Sequence, residues 1–170
     1  DRGKIVTASG PSVSVEMTSQ PDPTNTGLQI TRQITLYASS TRLQVKETFK
    51  NASNREITWS IWDVTQVPGS LEPGATFSPQ ARVYLPLKEK SAHAEGFHYL
   101  LGQDTGQWEK VTGGKILQTS YGGKVGKIGA DSDGGWIAYV DELHSFAFAK
   151  TFAVKQDAEY TDNNSTVEVY

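Results

Sequence analysis

The 170-residue chain contains no cysteine. That excludes a disulfide framework, a cysteine-zinc site, an iron–sulfur cluster and a thiol nucleophile. An excess of basic charge is also missing: 16 lysines and arginines against 19 aspartates and glutamates leave a net charge of −3. This argues against nonspecific nucleic-acid binding through a basic face. No run approaches the roughly 20 apolar residues of a membrane-spanning helix, so neither nucleic acid nor membrane is expected as a partner. A signal peptide is not visible, and the chain opens Asp1-Arg2-Gly3 without methionine, which reads as processed or trimmed. With 36% hydrophobic and 21% charged residues, the composition is that of a folded domain, and the length suits one domain with a real core.

What the sequence does have is alternation. In Leu28 to Leu36 the apolar residues Leu28, Ile30, Ile34 and Leu36 fall on even positions, with Arg32 the exception. Leu43, Val45 and Phe49 fall on odd positions, and Ile57, Trp59 and Ile61 continue the pattern. Phe146, Phe148, Phe152 and Val154 share a parity, with Lys150 between them. A period of two with one apolar face is the pattern of antiparallel strands. Shorter strand candidates are Ile5 to Ala8, Ser12 to Met17, Arg82 to Leu85, Lys115 to Thr119, Trp136 to Val140 and Thr166 to Tyr170. Turn chemistry separates them. Asn51-Ala52-Ser53-Asn54 suits a hairpin loop, and Glu72-Pro73-Gly74-Ala75 carries the type II signature. Gly113-Gly114, Gly122-Gly123 and Gly134-Gly135 punctuate the second half, and Ser19 to Thr26 is a Pro-broken polar loop. The best helical stretch is a turn or two around Ser91 to Gly96. The expected fold is therefore all-β: a single antiparallel two-sheet sandwich over residues 1–170. Leu28, Ile30, Ile34, Leu36, Leu43, Val45, Phe49, Phe146, Phe148 and Phe152 are expected in its core.

Familiar motifs fail on inspection. Gly122-Gly123-Lys124-Val125 lacks the first glycine and the hydroxyl of a phosphate loop. Asp131, Asp133 and Glu142 fit positions one, three and twelve of a calcium loop, but Trp136 stands where the sharp turn needs glycine. His93 and His98 are five apart, not the four that aligns two imidazoles on a helix. No Ser lies in a Gly-x-Ser-x-Gly elbow. Neither a cofactor nor a metal is called for.

Two segments carry chemistry. In Trp59 to Gln66, alternation sends Trp59 and Ile61 to one face and Trp62 with Val64 to the other. Two tryptophans on opposite faces cannot both fill one core. An exposed indole beside Asp63, Thr65 and Gln66 suits a sugar, the ring covering its C–H face and the polar groups its hydroxyls. The competing reading makes both tryptophans core residues. In Trp136 to Phe146, Asp141, Glu142 and His144 crowd a strand connection. A carboxylate and an imidazole at that spacing form an acid/base pair, a weak two-ligand metal site, or a hydrogen-bonded hairpin end.

The Leu28–Leu36 and Val45–Asn51 runs, Trp62-Asp63-Val64-Thr65-Gln66 and Tyr139 to Ala147 together resemble the galactose mutarotase-like β-supersandwich superfamily, and most closely a bacterial branch of it. The resemblance covers most of the chain through short motifs. It implies a sandwich that holds sugars on a concave sheet. Aldose epimerases of this fold carry a catalytic histidine after the Asn-containing hairpin. Here the comparable place reads Trp62-Asp63-Val64, which argues against the usual ring-opening chemistry. The chain is also shorter than such domains, as expected of a compact version or of a fragment incomplete at both ends. Exposed strand edges would then favour a homo-oligomer.

The leading expectation is a carbohydrate-binding domain, catalytic or not, using Trp62, Asp63, Gln66, Trp136 and His144. The alternatives are a sugar-ring enzyme of epimerase or lyase type, with Glu142 or Asp141 as base and His144 as acid, and a structural or assembly module.

Overall fold

The computed structural model describes residues 2–103 and 106–170. The fold is all-β and built from antiparallel sheets. The chain forms two compact units, residues 1–63 and 64–170, each taken by itself below.

The first unit is a four-stranded meander, β1 (Arg2–Thr7), β2 (Ser12–Thr18), β3 (Leu28–Tyr37) and β4 (Leu43–Asn51), in the order β1-β2-β3-β4. The register converts the alternating sequence into two chemically distinct faces. Ile5, Val15, Ile34 and Val45 form one row across all four strands, and Val13, Leu36 and Leu43 form another on the same face. The opposite face carries Lys4, Glu16, Gln33 and Lys46 in one row and Thr18, Thr31 and Thr48 in another. Cross-strand contacts tie that polar face together: Ser14 to Thr35 at 2.8 Å, Thr18 to Thr31 at 3.1 Å, and a Lys4–Glu16 ion pair at 2.7 Å. The β2–β3 loop is held by Asp22, which accepts the backbone N–H groups of Asn25 and Thr26. These bonds lower the Asp22 pKa below the ordinary carboxylate value.

The second unit is a two-sheet sandwich. Its five-stranded sheet runs β11-β10-β5-β8-β7, comprising β5 (Ala81–Pro86), β7 (Trp108–Val111), β8 (Ile116–Thr119), β10 (Trp136–Asp141) and β11 (Phe146–Thr151). Its three-stranded sheet runs β12-β9-β6, from β6 (His98–Leu101), β9 (Lys127–Ala130) and β12 (Val167–Val169). Leu85 and Leu117 of the larger sheet pack in one cluster with Ile128, Ala130 and Val167 of the smaller one and with Phe97. Leu87, Trp108, Ile137, Phe152 and Val169 close the cluster's rim.

Turn glycines behave as the sequence suggests. Gly74 has φ of 81°, and Ala75 N–H donates to the Glu72 carbonyl, a type II turn. At Gly135, with φ of 66°, a Cβ would stand 2.5 Å from the Phe152 carbonyl oxygen, so only glycine lets β10 start there. Before β12, Thr161–Asn164 is a short turn in which Asp162 and Asn163 adopt left-handed backbone, a conformation Asp and Asn tolerate well.

Several expectations are corrected. Of the ten expected core residues, Leu28 is buried and Ile34, Phe49 and Phe152 are half-buried, whereas Ile30, Leu36, Leu43, Val45, Phe146 and Phe148 are exposed. The alternation does mark one apolar face per strand, but period two carries no information on whether a second layer covers that face. Phe146 and Phe148 fall on β11, an edge strand. Trp59 and Ile61 belong to no strand, because no regular element lies between Asn51 and Ala81. Trp59 is instead anchored by its indole N–H on the Thr26 carbonyl at 2.9 Å. Asn51 to Asn54 turns the chain, with Asn51 Oδ1 accepting Ser53 N–H, but no hairpin follows. Ser91 to Gly96 is a non-helical loop held by Asp131, which accepts Ser91 Oγ–H and Ala92 N–H. Strands β6, β7 and β9 were not among the strand candidates; each has only four residues.

The core placement predicts a sharp contrast in urea unfolding. Leu117→Ala, at a residue with no exposed surface, is expected to cost about 2–5 kcal/mol. Leu143→Ala, in the exposed β10–β11 turn, is expected to change stability by less than about 0.5 kcal/mol.

Candidate functional site

Register in the five-stranded sheet lines up three successive rows of side chains on one face. The first holds Leu85 and Leu117, paired across β5 and β8, and belongs to the core. The second crosses every strand as Phe148, Tyr139, Val83, Thr119 and Trp108. The third holds Phe146, Asp141 and Ala81. A cavity of about 390 Å³ lies along the second row, lined by Val83, Trp108, Thr119 and Tyr139. Ser78, Ala81 and Tyr121 extend its wall, and Val125, Gly126 and Val169 also line it. The volume lies within the range of small-ligand sites.

The cavity is walled by aromatic rings and short polar side chains. Tyr121 is held edge-on against Phe77, with ring centroids 5.2 Å apart. Gln107, itself buried, braces the loop after β8: its Oε1 accepts the Gly122 N–H at 2.5 Å and its Nε2 donates to the Lys124 carbonyl at 3.1 Å. The Arg82 guanidinium is committed to the Pro79 and Ala81 carbonyls, each at 2.8 Å. The Tyr139 hydroxyl and the Trp108 indole N–H are buried without a hydrogen-bond partner and present almost no surface to the cavity. Desolvation, reinforced by the charge of Asp141, raises the Tyr139 pKa, which keeps the phenol a donor.

Behind this wall sits the polar centre of the unit. Asp141 has no exposed surface. Its Oδ1 accepts Ser78 Oγ–H at 2.9 Å, and its Oδ2 lies 2.7 Å from His144 Nδ1. Desolvation pushes its pKa up, but the hydrogen bonds from His144 and Ser78 and the charge of His144 outweigh it and hold the pKa below the ordinary value. Local sequence explains the contact. Asp141 ends β10, and residues 142–145 form a tight turn closed by Ser145 N–H on the Glu142 carbonyl, with Ser145 at φ 51°. That turn brings residue 144 back over residue 141. His144 is one-fifth exposed, so Asp141 orients an imidazole that solvent reaches.

Of the residues singled out in the sequence, the structure joins Asp141 and His144. Glu142 is exposed in the turn beside them. Trp62, 70% exposed, and the exposed Asp63 end the first unit. Gln66 is exposed and Trp136 half-buried in the second unit, and neither lines the cavity. The cavity residues Ser78, Trp108, Thr119 and Tyr139 were not singled out. Tyr139 shares the parity of Asp141 and was legible in that sense; Trp108 reaches the site only through non-local pairing. Among the described residues no cluster of three or more His, Asp or Glu side chains could hold a metal.

No family model, no curated protein and no solved structure matches the chain.

Acid sensitivity follows from the lowered Asp141 pKa. A carboxylate whose folded pKa lies below its unfolded value, about 3.9, stabilises the fold above that value and loses its contribution as pH falls through the folded pKa. Asp131 and Asp22 are shifted the same way and share the effect. Chemical denaturation from pH 6 downward is therefore expected to show stability falling below about pH 4. The fall should be shallower in Asp141→Asn, and that variant should be less stable than the parent at pH 6.

Proposed function

We propose that the chain is a carbohydrate-binding β-sandwich domain and that the cavity of the second unit receives the sugar ring. The observation that carries this reading is the lining of the cavity, in which the rings of Tyr121, Tyr139 and Trp108 stand beside the hydroxyl side chains of Ser78, Thr119 and Ser120. The apolar C–H faces of a sugar suit the rings of Tyr121, Tyr139 and Trp108, and its hydroxyls suit the polar side chains between them. Thr119 and Ser120 supply hydroxyl side chains to the cavity lining. The resemblance to mutarotase-like supersandwiches points to the same ligand class and is part of this proposal.

A second reading rests on the 2.7 Å contact of Asp141 with His144. A buried carboxylate bonded to Nδ1 fixes the ring and leaves Nε2 to act as general acid or base on a sugar. In that enzyme Asp141 positions the imidazole and does not itself meet substrate, since it has no exposed surface.

A panel of neutral and acidic mono- and oligosaccharides, titrated against intrinsic tryptophan fluorescence and by calorimetry, tests both readings. Saturable binding is expected, weakened about five- to tenfold by Tyr121→Ala, which removes an accessible ring from the cavity wall, and unchanged in Trp62→Ala. Loss of binding in Trp62→Ala alone would move the site to the exposed indole. Absence of binding across the panel would remove the carbohydrate reading. Turnover that disappears in His144→Ala while affinity persists would favour the enzyme.

A further inference from the structure

The sheet of the first unit has an apolar face out of proportion to a free surface. Ile5, Val13, Val15, Met17, Ile30, Leu36, Leu43 and Val45 are all more than a third exposed, and register places them on one side. Four strands about 4.8 Å apart, with some nine residues rising about 3.3 Å each, present on the order of 500 Å² face-on. The largest apolar patch on a soluble monomer is about 300–600 Å² and is often functional. The opposite face, with its lysines, threonines and glutamines, has no such demand for cover.

We infer that this face is the interface of a homodimer in which the β1–β4 sheets of two copies pack face to face. The inference is independent of the carbohydrate reading. Three features select a second copy of the chain as the occupant. The face is broad and apolar over all four strands, so its complement is another broad apolar sheet. Aligned sheets about 10 Å apart and crossing at about 30° interdigitate such side chains. Its charged residues, among those described, are Arg32 and Glu47, which pair with each other in the plane of the sheet. A second copy therefore meets a locally neutral surface, and a strongly charged partner would find no counter-charge. The area fits as well: two such faces remove on the order of 1,000 Å² from water, the threshold for a specific interface.

Light scattering across micromolar concentrations tests the proposal, with circular dichroism confirming that each variant is folded. The parent chain is expected at twice its monomer mass. Val15→Glu, at the centre of the face, is expected to be monomeric. Val45→Thr keeps strand shape and branching, and is expected to weaken the dimer at least tenfold, because it buries an unpaired hydroxyl twice. Because the chain has no cysteine, single cysteines add a positional readout. Val15→Cys is expected to trap a disulfide-linked dimer under mild oxidation, and Lys46→Cys, on the polar face, is not. A monomeric parent, a dimer that survives in both folded face variants, or equal trapping from the two faces would overturn the proposal.

Discussion

The second unit depends on one packing event, the burial of Leu85 and Leu117 against Ile128, Ala130 and Val167. These residues come from two sheets, so neither sheet has a dry face without the other. Everything that distinguishes the unit lies along the same inner surface. One row outward from the leucines, the side chains no longer fill the space, and the cavity begins. One row further, a carboxylate takes the inward position. The order of rows follows from the register of β10, β5, β8 and β7, and a one-residue slip in β10 would turn Tyr139 and Asp141 to the other face of the sheet.

Asp141 shows why a buried charge is tolerable there. Both of its oxygens are satisfied, one by a hydroxyl from the loop before β5 and one by an imidazole from its own turn. The carboxylate thus ties residue 78 to residue 144 across the edge of the sandwich. Removing one partner of such a centre leaves an uncompensated buried charge, which is far worse than never having had it. The same arrangement gives His144 a fixed ring plane and places Ser78 on the cavity wall.

The first unit poses the opposite physical situation. Its four strands are tied by ladder hydrogen bonds and by hydroxyl and ion-pair contacts on one side, yet its other side consists of aliphatic side chains in open rows. Arg32 and Glu47 interrupt that side, and their pairing keeps it electrically neutral. A sheet built this way is half of a sandwich in chemical terms, since burial of its apolar face is the largest stabilising contribution still open to it.

Alternation by itself placed β3, β4 and β11, and shorter runs marked parts of β1, β2, β5, β8, β10 and β12, because period two is a local property of the chain and the pleat enforces it. It also determined which face of each strand is apolar. Turn chemistry at Glu72–Ala75 and the paired glycines was equally local. The close spacing of Asp141 and His144 was readable because three residues and a tight turn suffice to join them. Tertiary structure alone decided which apolar faces are covered: Leu43 and Phe148 have the same signature as Leu85 and Leu117, and only the presence of a second layer separates exposed from buried. It also decided that Trp59 to Gln66 forms no strand, since a strand needs a partner that alternation cannot supply. The cavity was likewise invisible in the sequence, because Tyr139, Val83, Thr119 and Trp108 come from four strands whose adjacency is set by long-range pairing.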